Sequence, residues 1–113
     1  MGTVLTVPSP GEGPESGVIG ADLAHQGDEI TPSDWTARID DNGRGAVWQR
    51  PEAAGNADMV RIMAPIDAYP DGYVRFYNRF GQPVDLDGRP SSRAETHIPL
   101  RPGEMLDVPD GWP

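Results

Sequence analysis

The sequence predicts a small α+β domain: a twisted antiparallel meander of four or five strands with one short helix packed on it. Three observations point there. From residue 45 onward apolar residues recur with period two, as in Met59-Val60-Arg61-Ile62-Met63 and Tyr73-Val74-Arg75-Phe76-Tyr77. Turn signals separate these runs, the clearest being Tyr69-Pro70-Asp71-Gly72. Ahead of them, Thr31-Pro32-Ser33-Asp34 has the residues that start helices.

Taken in order, residues 1–34 read as an acidic arm or linker and residues 35–113 as the folded domain. In the arm, Thr3-Val4-Leu5-Thr6-Val7 fits a short strand, and residues 8–14 are a linker by their proline and glycine content. Val18-Ile19 is a small apolar spot, and residues 21–25 make at most one helical turn. The expected helix has Thr31 as N-cap and Pro32 in its first turn. It places Trp35 and Ile39, four apart, on one side and stops at Asp40-Asp41-Asn42-Gly43. Strands are expected at residues 45–49, 59–63, 73–80, 84–86 and 93–98. Along 73–80, Val74, Phe76 and Phe80 form the core face, and Tyr73, Arg75, Tyr77 and Arg79 the open face. Pro99 stops the last strand, and Trp112 anchors a tail from 102 to 113.

Composition narrows the function classes. A chain of 113 residues fits one domain with a modest core. Only 36% of its residues are hydrophobic, and 14 glycines and 13 prolines favour a loop-rich fold of short strands. The absence of cysteine excludes disulfides and thiolate metal sites, and the two histidines, His25 and His97, have no metal-ligand spacing. No metal or other cofactor is expected. Neither a transmembrane run nor a signal peptide is present, so no membrane partner is expected, although an exported parent protein stays open. The net charge of −9 opposes nucleic-acid binding by a general basic surface. Its distribution is uneven: residues 35–103 carry all nine cations, every one an arginine able to grip phosphate bidentately, while the two ends carry only acids.

As a strand, residues 93–98 put Arg93, Glu95 and His97 on one face, with neighbours about 6.6–7 Å apart. Facing a phosphodiester, these supply a base, an acid and a cation, the parts that RNA cleavage by 2′-hydroxyl attack requires. Glu95 is the expected base and His97 the expected acid, with the reverse order open. Arg93 with Arg75 or Arg79 clamps the transition state. If the strand at 73–80 shares the sheet, Tyr73 and Tyr77 stack on bases between the arginines. The alternative is a solvated face of a half-exposed sheet.

Arg61-Ile62-Met63-Ala64-Pro65, Tyr69-Pro70-Asp71-Gly72-Tyr73-Val74-Arg75-Phe76-Tyr77-Asn78, Gly81-Gln82-Pro83 and Glu95-Thr96-His97-Ile98-Pro99 resemble the C-terminal toxin modules of bacterial polymorphic toxins, specifically the type 24 polymorphic-toxin domain. The resemblance implies a metal-independent endoribonuclease of Barnase–EndoU–colicin–RelE-like fold. Such a module is delivered at the end of a larger secreted protein, acts in the target-cell cytoplasm and is neutralised by a cognate immunity protein. It also implies His97 as central catalytic residue, with Arg61, Arg75 and Glu95 as companions. Thr96 then contacts phosphate, although its alternation points it at the core. The acidic charge departs from the basic surface common in such ribonucleases. Two other function classes stay open: a non-catalytic β-rich module binding protein or glycan, and a toxin of another chemistry, a deoxyribonuclease or ADP-ribosyltransferase.

Overall fold

A computed structural model of the chain describes residues 19–113. The strand expected at residues 3–7, the linker at 8–14 and Val18 lie outside the described residues. The rest is an α+β domain: a helix, α1 (Ala21–Ile30), on one face of a six-stranded antiparallel sheet. The strands are β1 (Thr36–Ile39), β2 (Gly45–Gln49), β3 (Met59–Met63), β4 (Tyr73–Tyr77), β5 (Pro83–Val84) and β6 (Ile98–Pro99). The first five follow each other as a meander, and a one-turn helix, α2 (Arg93–Thr96), precedes β6. β3 pairs with the whole of β4 on one side. On the other, β5 takes the Phe76–Tyr77 end and β6 the Tyr73–Val74 end.

Cross-strand register sorts the side chains, because residues directly opposite each other share a face. Ala46, Trp48, Val60, Ile62, Val74, Phe76, Val84 and Ile98 point together into the core. Leu23 and Ile30 of α1 cover them, as do Ile19, Trp35, Leu106 and Trp112. Fully burying one such side chain contributes roughly 1.5–3 kcal/mol. The tail anchor is as expected: the Trp112 indole meets Phe76 and Trp35 edge-on, and its Nε1–H donates to the Tyr77 carbonyl at 3.0 Å.

Three loops are held by an Asx side chain that accepts backbone N–H groups. The Asp40 carboxylate takes those of Arg44 (2.7 Å) and Gly45 (3.1 Å) between β1 and β2. Asn78 takes Phe80 and Gln82 after β4, and Asp85 takes Asp87 and Arg89 after β5. The Asn78 turn explains one departure from expectation. It ends β4 at Tyr77, so Phe80 is 72% exposed rather than in the core, and Arg79 leaves the sheet to lie over the Phe80 ring.

Three further expectations are corrected. Residues 21–25 are not an isolated turn but the first half of a ten-residue helix whose apolar side packs on the sheet, so residues 19–34 belong to the domain. Thr31 does not start a helix; it closes one, donating its hydroxyl to the Gly27 carbonyl at 2.9 Å. Pro32 then turns the chain, and Thr36-Ala37-Arg38-Ile39 continues as β1. Residues 93–98 are not one strand. Ser92 caps α2 by accepting the Glu95 N–H, the forward half of a Ser-x-x-Glu capping box, and only Ile98 and Pro99 pair in the sheet.

Gly27 is the contact point between helix and sheet. A Cβ built there lies 2.3 Å from the Trp48 ring, which is 2% exposed and pinned by its Nε1–H to Asp28 at 2.8 Å. Gly27→Ala gains about 1 kcal/mol of helix propensity but overpacks an indole that has nowhere to move, at a cost of about 1–3 kcal/mol. The overpacking is expected to win, lowering the urea midpoint of the variant; an unchanged or raised midpoint would mean that α1 shifts freely on the sheet.

Candidate functional site

The face of the sheet turned away from α1 is not an ordinary wet face. Val47 of β2 and Met59 of β3 are fully buried on it, and Tyr77 of β4 is 5% exposed. Among the described residues no helix covers them. The register shows what does: Arg38 opposes Val47, Val47 opposes Arg61, and Arg61 opposes Arg75. Three arginines and one valine thus form a row across β1 to β4, and the arginine stems lie over the apolar patch. The Arg38 Nη2 is 4.0 Å from the Met59 sulfur, and the Arg75 guanidinium carbon stands 5.4 Å from the Tyr77 ring centre.

Charge in this row is under-compensated. Opposed like charges destabilise a sheet, and among the described residues the carboxylate that approaches Arg61 is that of Asp40. One Asp40 oxygen holds the β1–β2 turn, and the other is 4.0 Å from Arg61 Nη1, at the limit of an ion pair. Arg75 donates from Nη2 to the Thr96 hydroxyl at 3.3 Å, a neutral partner. The Nε–H groups of Arg61 and Arg75 are buried without a hydrogen-bond partner among the described residues. A buried unsatisfied donor costs about 1–3 kcal/mol.

His97 sits at the Arg75 end of the row and is 6% exposed. Its Nδ1 is 2.8 Å from the Arg93 carbonyl. A carbonyl only accepts, so Nδ1 carries the proton and Nε2 keeps the lone pair. Tyr73 and Tyr69 enclose the ring, with centroids 4.9 and 5.8 Å away. Burial pushes the imidazole below its ordinary pKa of 6.5. The carbonyl contact opposes this, and the positive charges of Arg75 and Arg93 add to it. The ring is therefore neutral at pH 7.

Among the residues expected from sequence, Arg61, Arg75, Tyr73, Thr96 and His97 come together. Arg93 joins through its backbone carbonyl, its side chain being exposed. Tyr77 lies beneath Arg75 as packing rather than as an open stacking surface. Arg79 is elsewhere. Glu95 does not join the arginine face: it is exposed. With His97 it lines a cavity of about 300 Å³ whose other acids are Asp85, Asp87, Glu104 and Asp107. His97 is thus the boundary between an acidic cavity and an arginine face. Arg38, Asp40 and Tyr69 were not foreseen. Alternation in Thr36-Ala37-Arg38-Ile39 signals the first, but the helix start ascribed to Thr31 hid it. Among the described residues no group of three or more acid, histidine or cysteine side chains is arranged to hold a metal ion, and no helix is long and apolar enough to cross a membrane.

The lowered pKa of His97 has a sign that can be checked. Its unfolded form takes up a proton near pH 6.5, before the folded form does, so the stabilisation is full above that pH and is lost as pH falls through the folded value. The urea midpoint of the wild-type protein is expected to drop between pH 7.5 and 5.5. In His97→Asn, which keeps a donor for the Arg93 carbonyl, that drop should be smaller; equal drops would show that the imidazole titrates as a free one does.

No family model matches the chain, and no curated protein or solved structure matches it either.

Proposed function

We propose that this domain binds single-stranded RNA across its arginine face and cleaves it beside His97, as an endoribonuclease that needs no metal ion. One observation carries the reading: a neutral imidazole with a free Nε2 stands next to Arg75 at the end of a row of arginines, two of which, Arg61 and Arg75, have buried Nε–H groups without an acceptor among the described residues. In the proposed reaction Nε2 takes the proton of a 2′-hydroxyl, and the oxygen attacks the adjacent phosphorus. The bond to the 5′-oxygen breaks, leaving a 2′,3′-cyclic phosphate, and the departing oxygen takes a proton from water. Arg75 and Arg61 hold the charge that builds on the phosphoryl oxygens. The lowered pKa favours His97 as base over the role of acid, and Glu95 is not required. The resemblance within residues 61–99 supports the wider reading of a toxin module, delivered by a larger bacterial protein into the cytoplasm of a target cell and held in check by an immunity protein.

A second reading is a non-catalytic module that grips its ligand through the arginine face. The 6% exposure of His97 and the outward turn of Glu95 favour it. Incubation of the pure protein with total RNA in EDTA separates the two. The wild type is expected to cut, and His97→Ala to lose about 10²–10⁴-fold of the rate, the usual share of a general base. The acidic limb of kcat/KM should fall below pH 6.5, because the base stays neutral there. Cutting that survives His97→Ala within tenfold would remove the assigned base, and no cutting alongside tight RNA binding would favour the second reading.

A further inference from the structure

His97 also lines the cavity of about 300 Å³, which none of Arg38, Arg61 and Arg75 touches. That volume is at the lower end of the range of small-molecule sites. The walls come from Leu23 of α1, the loop after β5, α2 with β6, and the segment from Leu100 to Asp107. This segment is tied to α1, because the Leu106 N–H donates to the Gln26 side-chain oxygen at 2.8 Å. The floor is apolar: Val74, Ile98 and Leu100 are buried, and Leu23 and Leu106 pack against the core. Around it stand the five carboxylates already named, against one cation, Arg101, whose Nη1 is 3.9 Å from Glu104. Asp87, Glu95 and Asp107 have no ion-pair partner among the described residues.

Carboxylates alone mark only a solvated rim; the imidazole says more. His97 is walled in, at 6% exposure, and its Nδ1–H is spent on the Arg93 carbonyl. Its Nε2 can only accept, and it accepts from no donor among the described residues. Nor is Nε2 sealed in, since the buried side-chain nitrogens without a partner are those of Arg61 and Arg75. Apart from Arg101, the side chains around the cavity thus offer acceptors and hydrocarbon. Their complement is a cationic donor on an apolar stem. A metal ion is not that complement, because among the described residues the acids are not gathered to hold one. A guanidinium is: its planar fork of five N–H donors reaches an imidazole nitrogen and a carboxylate together, and its weak hydration lowers the cost of leaving water. We infer that the cavity binds an alkylguanidinium, with the head donating to His97 Nε2, the unpaired carboxylates of Glu95 and Asp107 holding its charge, and the stem lying on Leu23 and Leu106. Two sources share this chemistry, an arginine side chain of a partner protein and a free alkylguanidine. The inference stands without the nuclease reading and adds a consequence to it: the nitrogen that the guanidinium engages is the proposed base.

The test is binding to the full chain, followed by NMR. The probes are n-butylguanidinium, N-acetylarginine N-methylamide and 1-butanol. Butylguanidinium is expected to shift the His97 Nε2 resonance and the amide signals of Glu95, Ile98 and Leu106 saturably, while those of Arg38 and Val47 stay in place. 1-Butanol should bind about tenfold more weakly, the share of one hydrogen bond to a charged group. Glu95→Gln combined with Asp107→Asn, two exposed isosteric changes, should weaken butylguanidinium by about tenfold for the same reason. Asp34→Asn combined with Asp41→Asn, two exposed acids outside the cavity, should leave it unchanged. Saturable binding of either cation supports the site, and the tighter of the two names the source, blocked arginine for a protein side chain and butylguanidinium for a free base. No saturable shift at the cavity, equal binding of 1-butanol, or equal losses in the two double variants would overturn it. If total RNA is cut, butylguanidinium should inhibit the cutting. Cleavage that continues with the cavity saturated removes His97 as base and leaves the cation site standing.

Discussion

The arrangement of this domain depends on a sheet that is apolar on both faces but has a helix for only one. α1 and the tail cover Trp48, Val60, Phe76 and their neighbours. On the other side Val47, Met59 and Tyr77 are buried by arginine side chains in register. The hydrophobic effect thus holds in place residues whose charges repel one another. Burial of the stems is favourable, close approach of the guanidiniums is not, and the unpaired Nε–H groups record the compromise.

His97 belongs to the same balance. Its ring is enclosed by Tyr69 and Tyr73, and the Arg93 carbonyl fixes the tautomer. A positive charge on this imidazole would add to those of Arg75 and Arg93, so burial and electrostatics agree on the neutral form. Asp40 is the counterweight at the other side of Arg61: nearly inaccessible, it joins the β1–β2 turn to the arginine row through its two oxygens. Turn geometry and guanidinium placement are therefore not independent.

Much of the fold was legible from sequence. Alternation gave β2 and β3 their bounds and β4 its start, and the turn residues gave the meander. What misled was local chemistry that admits two outcomes. Thr31-Pro32 can open a helix or close one, and only the packing of Leu23 and Ile30 on the sheet decides for closure. Gly27 lowers the helix propensity of α1, yet its missing side chain is what lets the helix meet Trp48. In the site, alternation along 93–98 put Glu95 and His97 together, while the Ser92-x-x-Glu95 pattern, present in the same sequence, describes the turn of helix that separates them. Arg61 was linked to Arg75 only through the resemblance, and it is the β3–β4 register that sets the two opposite each other. Arg38 was missed because its strand was.

The edge of β4 is divided. β5 and β6 are held by different halves of the same strand, each through two residue pairs. Thr96 and His97 lead into β6, whereas Arg61 and Arg75 belong to the five-pair β3–β4 ladder, so the imidazole and the arginine row are anchored through separate sets of strand pairs.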